Sequence, residues 1–300
     1  SPLGDEPNNP QYSVTNTFQV LNQSSFSLGK HLVRFGVDLR RSQQNAFRDI
    51  HSRGFINFLS PSYFTDIPLA DLLLGLPTYS GAAQSDNPQY LRTTSVNIFI
   101  HENWRMLPNL TINLGLRYEY NSPPSDKFDH VNLFDVETAT LVEVEEKGIP
   151  RGGYHADRNN FAPRVGLAWN PFAGGRTVLR AGYGVNYDQS TLAVSNGLYF
   201  NAPFFIFNIF QPSQLSPLTL YDPFPASAGF PLPASGLTYQ RDLRTPYQQQ
   251  WSVDLQQELQ HDLLLGVSYV GSKGTNLIGA RDINQPLASS ELVNLRPLPQ

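Results

Sequence analysis

Residues able to do acid–base, nucleophilic or metal chemistry are present, but not in patterns that do it. The six histidines fall at 31, 51, 101, 130, 155 and 261 without ligand spacing, and His101-Glu102 has no second histidine at the metalloprotease position. Cysteine is absent, which removes thiolate nucleophiles, thiolate metal sites and any disulfide framework. Gly266-Val267-Ser268-Tyr269-Val270 lacks the second glycine of a nucleophile elbow, and Gly271-Ser272-Lys273-Gly274-Thr275 lacks the spacing of a phosphate loop. Asp135, Glu137, Glu143, Glu145 and Glu146 supply the several oxygens a calcium site needs. A solvated acidic hairpin is the better reading of them. The sequence thus predicts no enzyme: no catalytic residue, no metal site and no cofactor. What it does offer is arginine. Arg34, Arg117, Arg164 and Arg180 sit at the polar positions of alternating stretches, and a guanidinium fork binds carboxylates through two parallel hydrogen bonds. Asp38, Glu119 and Asp254 occupy equivalent positions, so a ladder of internal ion pairs competes with ligand contact for these four residues.

The elements that must position them read as strands. Thr111–Tyr120 alternates at period two, with Ile112, Leu114, Leu116, Tyr118 and Tyr120 pointing one way and Thr111, Asn113, Gly115, Arg117 and Glu119 the other. Successive strand side chains face opposite sides of a sheet, so each such segment has one apolar and one polar face. The same pattern recurs in Val33–Arg40, Val96–Trp104, Phe161–Trp169, Leu179–Tyr187 and Trp251–Gln256. Eight strands are predicted, roughly 17–28, 31–45, 91–106, 110–121, 160–170, 177–187, 247–258 and 263–271. Glycine recurs on the polar face, as in Phe35-Gly36-Val37, Leu114-Gly115-Leu116, Val165-Gly166-Leu167, Ala181-Gly182-Tyr183 and Leu265-Gly266-Val267. Because glycine weakens a strand, its return suggests bending or close approach by another backbone.

Connections alternate between short turns (Gly29-Lys30, Leu107-Pro108-Asn109, Pro171–Arg176, Leu259–Asp262) and long stretches at about 46–90, 122–159 and 188–246. Short turns on one side and long loops on the other are the habit of a membrane β-barrel. Ten residues at roughly 3.3 Å each, tilted by about 40°, project to about 25 Å, the height of a barrel's apolar band. Trp104 and Trp169 precede short turns, and Tyr118, Tyr120, Tyr187 and Tyr269 precede long loops, where two interfacial girdles would lie. A soluble antiparallel sandwich also alternates, but leaves the long loops unexplained. Of the loops, the first predicts a short helix near Ile67–Leu74 stopped by Gly75 and Pro77. The second predicts a surface hairpin over Val131–Val136 and Thr140–Val144. The third is dense in Pro and Phe, able to grip a ligand or to pack against its neighbours over the barrel mouth.

Composition agrees. Of 300 residues only 15% are charged, against about a quarter in ordinary soluble domains, while Asn and Gln number 42 (23 Asn, 19 Gln). A net charge of −4 gives no basic footprint for nucleic acid, and no apolar run approaches the 18 or so residues of a membrane helix. The opening Ser1-Pro2-Leu3-Gly4 carries neither an initiator Met nor a signal peptide, as if cut from a longer chain.

Phe99-Ile100-His101-Glu102-Asn103-Trp104-Arg105 followed by Leu110-Thr111-Ile112-Asn113-Leu114-Gly115-Leu116-Arg117-Tyr118-Glu119 resembles the hairpin of TonB-dependent outer-membrane receptors, in which a Gln-Asp-x-Trp-like stretch leads to Leu-Thr-Leu-Asn-x-Gly-Leu-Arg-Tyr-Glu. His101 and Asn103 depart from the usual Gln and Asp. Asn159–Trp169 with Arg180–Asp188 is similar to the Oar-like branch. The resemblance spans about 17–280. It implies an all-β, antiparallel up-and-down transmembrane barrel of 22 strands, of which these eight are a segment, in the bacterial cell outer membrane. It also implies a plug and a TonB box that are not visible here, coupling to the TonB system, and import of a scarce small or oligomeric solute. The final Leu298-Pro299-Gln300 lacks the terminal aromatic of a mature barrel. On that reading the four arginines line the lumen, for ligand or plug. The alternative is a non-transporting surface or adhesion barrel.

Overall fold

A computed structural model describes residues 6, 8–61, 64–85, 88–188, 195–213, 218–226, 229–231, 236–260 and 263–284. The predicted turn residues His261 and Asp262, and the two chain ends, lie outside the described residues. Eight long strands form one antiparallel sheet in which each pairs with its neighbour in sequence: β1 (Gln11–Leu28), β2 (His31–Arg48), β3 (Gln89–Leu107), β4 (Leu110–Asn121), β5 (Phe161–Trp169), β6 (Thr177–Tyr187), β7 (Tyr247–Gln260) and β8 (Leu263–Thr275). This is an up-and-down meander. Among the described residues β1 and β8 each pair on one side only, so the sheet is open. Gly29, at φ +57°, supplies the left-handed conformation that the two-residue β1–β2 turn requires.

The strands reach beyond the predicted limits mainly at their loop ends. β1 starts at Gln11, β2 runs on to Arg48 and β8 to Thr275. In β8 the added Ser272-Lys273-Gly274-Thr275 carries no alternation, because both faces of such a segment can be polar, and no period is left to read, whereas the added start of β1 keeps it in Tyr12 and Val14.

The sheet is inside out relative to a soluble one. On the apolar face Phe35, Ile98, Ile100, Leu116 and Val165 are 44–52% exposed, whereas on the polar face Asn97 is fully buried and Glu119 and Asp38 are 6% and 8% exposed. Soluble sheets bury the apolar row, and so broad an exposed apolar band needs a hydrophobic medium to cover it. Among the polar residues on that face is a carboxylate: Glu102 stands opposite both Val33 and Leu114. Its carboxylate lies 2.5 Å from Nδ1 of His31, whose ring stacks on Trp104 with centroids 5.5 Å apart, near the short turns.

Gly36 serves close approach, and in a second way as well. It pairs with Phe99, and a Cβ there would lie 2.8 Å from that ring and collide with the Asn22 carbonyl. An aromatic laid over a cross-strand glycine is a known register device. Gly36→Val should therefore destabilise the wall by about 1–3 kcal/mol, seen as a lower urea midpoint for folding into lipid vesicles. Adding Phe99→Ala should restore part of the loss.

The hydrophobic core lies in the loops. Leu133, Val131, Val142, Val144 and Ile149 from the second loop pack with Leu198 and Tyr199 from the third, against Leu91 at the end of β3. The predicted hairpin exists as Asn132–Asp135 with Thr140–Glu143. It is not a surface hairpin: Leu133 is fully buried, because the third loop lies on it. A four-stranded sheet joins Gly229–Pro231 and Phe205–Phe210 of the third loop to Tyr79–Ser85 and Phe55–Asn57 of the first. The predicted helix forms at Pro68–Leu74 and ends on Gly75. The aromatic loops thus pack on one another, with Phe207 stacked on Phe55 and Phe210 edge-on to Phe224.

Candidate functional site

Strand register gathers part of the arginine set into one row. Across the polar face Arg34 (β2) stands opposite His101 (β3), His101 opposite Gly115 (β4), and Gly115 opposite Arg164 (β5). The row continues through Gly184, Gln250 and Ser272. Arg117 comes one row nearer the loops, opposite Phe99 and Ala162. A cavity of about 280 Å³ opens here, lined by Gln23, Arg34, Phe99, His101, Gly115, Arg117 and Arg164. Gly115 keeps its floor low, since a Cβ there would already come within 3.2 Å of the His101 ring and 3.4 Å of Arg164 Cβ.

The predicted ladder of ion pairs forms only in part. Arg117 Nε donates to Glu119 at 2.8 Å. Asp38 accepts from Gln19 at 2.8 Å and faces Arg40 at 3.6 Å, not Arg34. Asp254 stands opposite Arg180 in register but accepts from the Ser268 hydroxyl, and Arg180 donates to Gln256 at 2.9 Å. Arg164 donates to the amide oxygen of Asn186 at 2.7 Å. Arg34 and His101 have no hydrogen-bonding or ionic partner among the described residues. Three of the four predicted arginines therefore share one cavity. The fourth, Arg180, lies two rows toward the short turns and belongs to a separate polar pair.

Sequence reading missed Gln23 and His101 as members of this site. His101 was legible in principle, because the tight β3–β4 turn fixes its register against Gly115. Its alignment with Arg34 passes through a long loop and was not. Next to the cavity, sharing Arg164, a larger trough of about 630 Å³ is lined by Asn186, Gln248, Gln250, Ser252 and Ser272 together with Val165, Tyr183, Trp251 and Val270. Amides and hydroxyls both donate and accept, so these groups suit hydrated or hydroxylated matter, whereas the guanidinium groups of the arginine row only donate.

Of the acids on the second loop, Asp135 is engaged within the protein. Asp135 accepts from Thr138 and Arg241, both at 2.8 Å, and the Thr138 hydroxyl foremost, with Arg241, holds its carboxyl below the usual range. Among the described residues no three acidic or histidine side chains come together as a metal site.

The polar row and the exposed apolar band that backs it describe a wall between water and lipid. All of residues 1–300 match the sequence profile of a family described as "Outer membrane beta barrel domain". This chain belongs to that family. The domain is accordingly an antiparallel β-barrel domain of the bacterial outer membrane, its apolar face toward lipid and its arginine row toward the barrel interior. No curated protein matches it significantly. Solved structures similar to it include the outer membrane transporter YddB from Escherichia coli, at 16% identity over 87% of this chain and 25% of YddB, with a TM-score of 0.47. The toluene transporter TodX of Pseudomonas putida is 12% identical over 87% of this chain and 56% of its own, with a TM-score of 0.28. The siderophore receptor PiuA of Acinetobacter baumannii is 12% identical over 87% and 39% respectively, with a TM-score of 0.31. The barrel domain thus spans between a quarter and just over half of the length of these proteins.

Proposed function

We propose that this domain forms part of the wall of a TonB-dependent outer-membrane receptor of the Oar-like branch, which binds a scarce solute and imports it through a plugged barrel. The observation that carries this reading is the openness of the interior face. Toward β6 and β8 two of its glycines have room above them: a Cβ on Gly266 would meet nothing within 4 Å, and one on Gly182 only Ser252 Oγ and a backbone oxygen, at 3.7 and 3.9 Å. A closed eight-stranded barrel fills its interior with side chains. This face is instead built to enclose a wide, hydrated space. An unpaired sheet edge is not viable in lipid, so further strands complete the wall beside β1 and β8. The work is transport without covalent chemistry. Lipid contacts the outer face, and the TonB system, acting through a plug, supplies the energy.

The test is a comparative uptake screen in the source bacterium. Deleting the gene and deleting the energy-coupling gene should abolish accumulation of the same solute. The packed loop cap favours the second reading, a surface or adhesion barrel. Unchanged uptake together with lost attachment to cells or polymers would decide for it and against transport.

A further inference from the structure

We infer that the Arg34–His101–Arg164 row, with Arg117 beside it, is a recognition site for an oxyanion, a carboxylate or phosphate group carried by the solute. The inference rests on the interior face being open to solute, as proposed above, and goes beyond it by naming the chemistry. The row contains three cationic or potentially cationic side chains and no carboxylate. Asp38, Glu119 and Asp254 lie in other rows of this face, each already accepting a hydrogen bond, and Glu258 lies four rows away toward the short turns. Arg117 and Arg164 each spend one donor on a neighbour, leaving the rest of their forks free, and Arg34 spends none on any described residue. An arginine has five N–H donors and no acceptor, so the donors that no protein acceptor takes up are left to water or to an anion. Phosphate and carboxylate match the fork geometry in a way that a neutral solute does not. Gly115, between His101 and Arg164, leaves the space in which the anion sits.

The test uses the full-length protein purified in detergent at low ionic strength, with citrate and inorganic phosphate as probes in calorimetric titration. The native protein should bind at least one of them, and binding should fall as salt rises. Arg34→Gln combined with Arg164→Gln should weaken it at least tenfold. Gly115→Val, which keeps every charge but fills the space, should weaken it comparably. Arg180→Gln, outside the cavity, should bind as the native protein does. Each variant must retain the native electrophoretic shift on heating. Binding of neither probe by the native protein, or equal binding by the double variant, would overturn the inference and leave the transport reading standing. So would a double variant that binds citrate normally while an internal segment is extracted more easily by denaturant, since the row would then belong to an intramolecular carboxylate.

Discussion

Leu116→Arg is expected to block membrane assembly of the full-length protein, whereas Asn113→Arg, three residues away on the same strand, should assemble normally. Leu116 is 45% exposed on the apolar face of β4, with Ile100 on one side and Pro163 on the other. A cationic side chain there must be buried in hydrocarbon, which costs about 2–4 kcal/mol near the midplane of a barrel wall. Asn113 points to the opposite face, between Asn103 and Gly166, where an arginine stays hydrated. Leu116 is a sharper probe than Leu114, which stands opposite Glu102 and could offer an introduced arginine an ion pair that hides part of the cost. The measurement is the folded fraction recovered in lipid vesicles. Equal yields for the two variants would mean that the faces have been assigned wrongly.

Tyr199→Ala should unfold the loop cap and leave the wall standing. Tyr199 is fully buried, and its hydroxyl donates to Asp126 at 2.5 Å. Asp126 also accepts the backbone N–H groups of Tyr90, Phe128 and His130, at 2.9, 2.7 and 3.2 Å. Removing a buried aromatic of this size costs about 3–5 kcal/mol. Tyr199→Phe loses only the hydrogen bond, about 1–2 kcal/mol. Hydrogen exchange should report the alanine variant as loss of protection across 122–160 and 195–213 with β1–β8 unchanged; simultaneous loss in the strands would refute a cap with its own core. Burial foremost, and then Asp126, raise the Tyr199 phenol well above its ordinary value. A group raised in the folded state contributes its full stability below the unfolded pKa and loses it progressively as pH climbs from that value through the folded one. The cap should therefore hold through neutrality and begin to loosen only above about pH 10.

Much of the wall is written locally. Alternation in segments such as Thr111–Glu119 states which residues share a face, because side chains on a strand must alternate whatever the rest of the chain does. Short turns such as Gly29-Lys30 fix the pairing of the strands they join. The chain therefore announced its eight strands, their order within hairpins and the face on which Arg34, Arg117, Arg164 and Arg180 lie. The loop end of β8 escaped, since water on both sides removes the pattern, and the start of β1 was missed although Tyr12 and Val14 keep the period.

What the sequence by itself determined is the two-faced strand and the polarity of each face, since both follow from period and residue type. Only the tertiary structure decided which arginines meet. The registers of β2 against β3 and of β4 against β5 are set across long loops, whose packing no local rule prescribes, and a shift of two residues in either would have kept every side chain on its face while moving Arg34 or Arg164 into another row. The fate of the loops was decided the same way. Leu133 and Tyr199 are 66 residues apart in sequence, and whether such a pair becomes exposed surface or buried core depends on distant segments closing on each other, a cost in chain entropy that only the completed cap offsets.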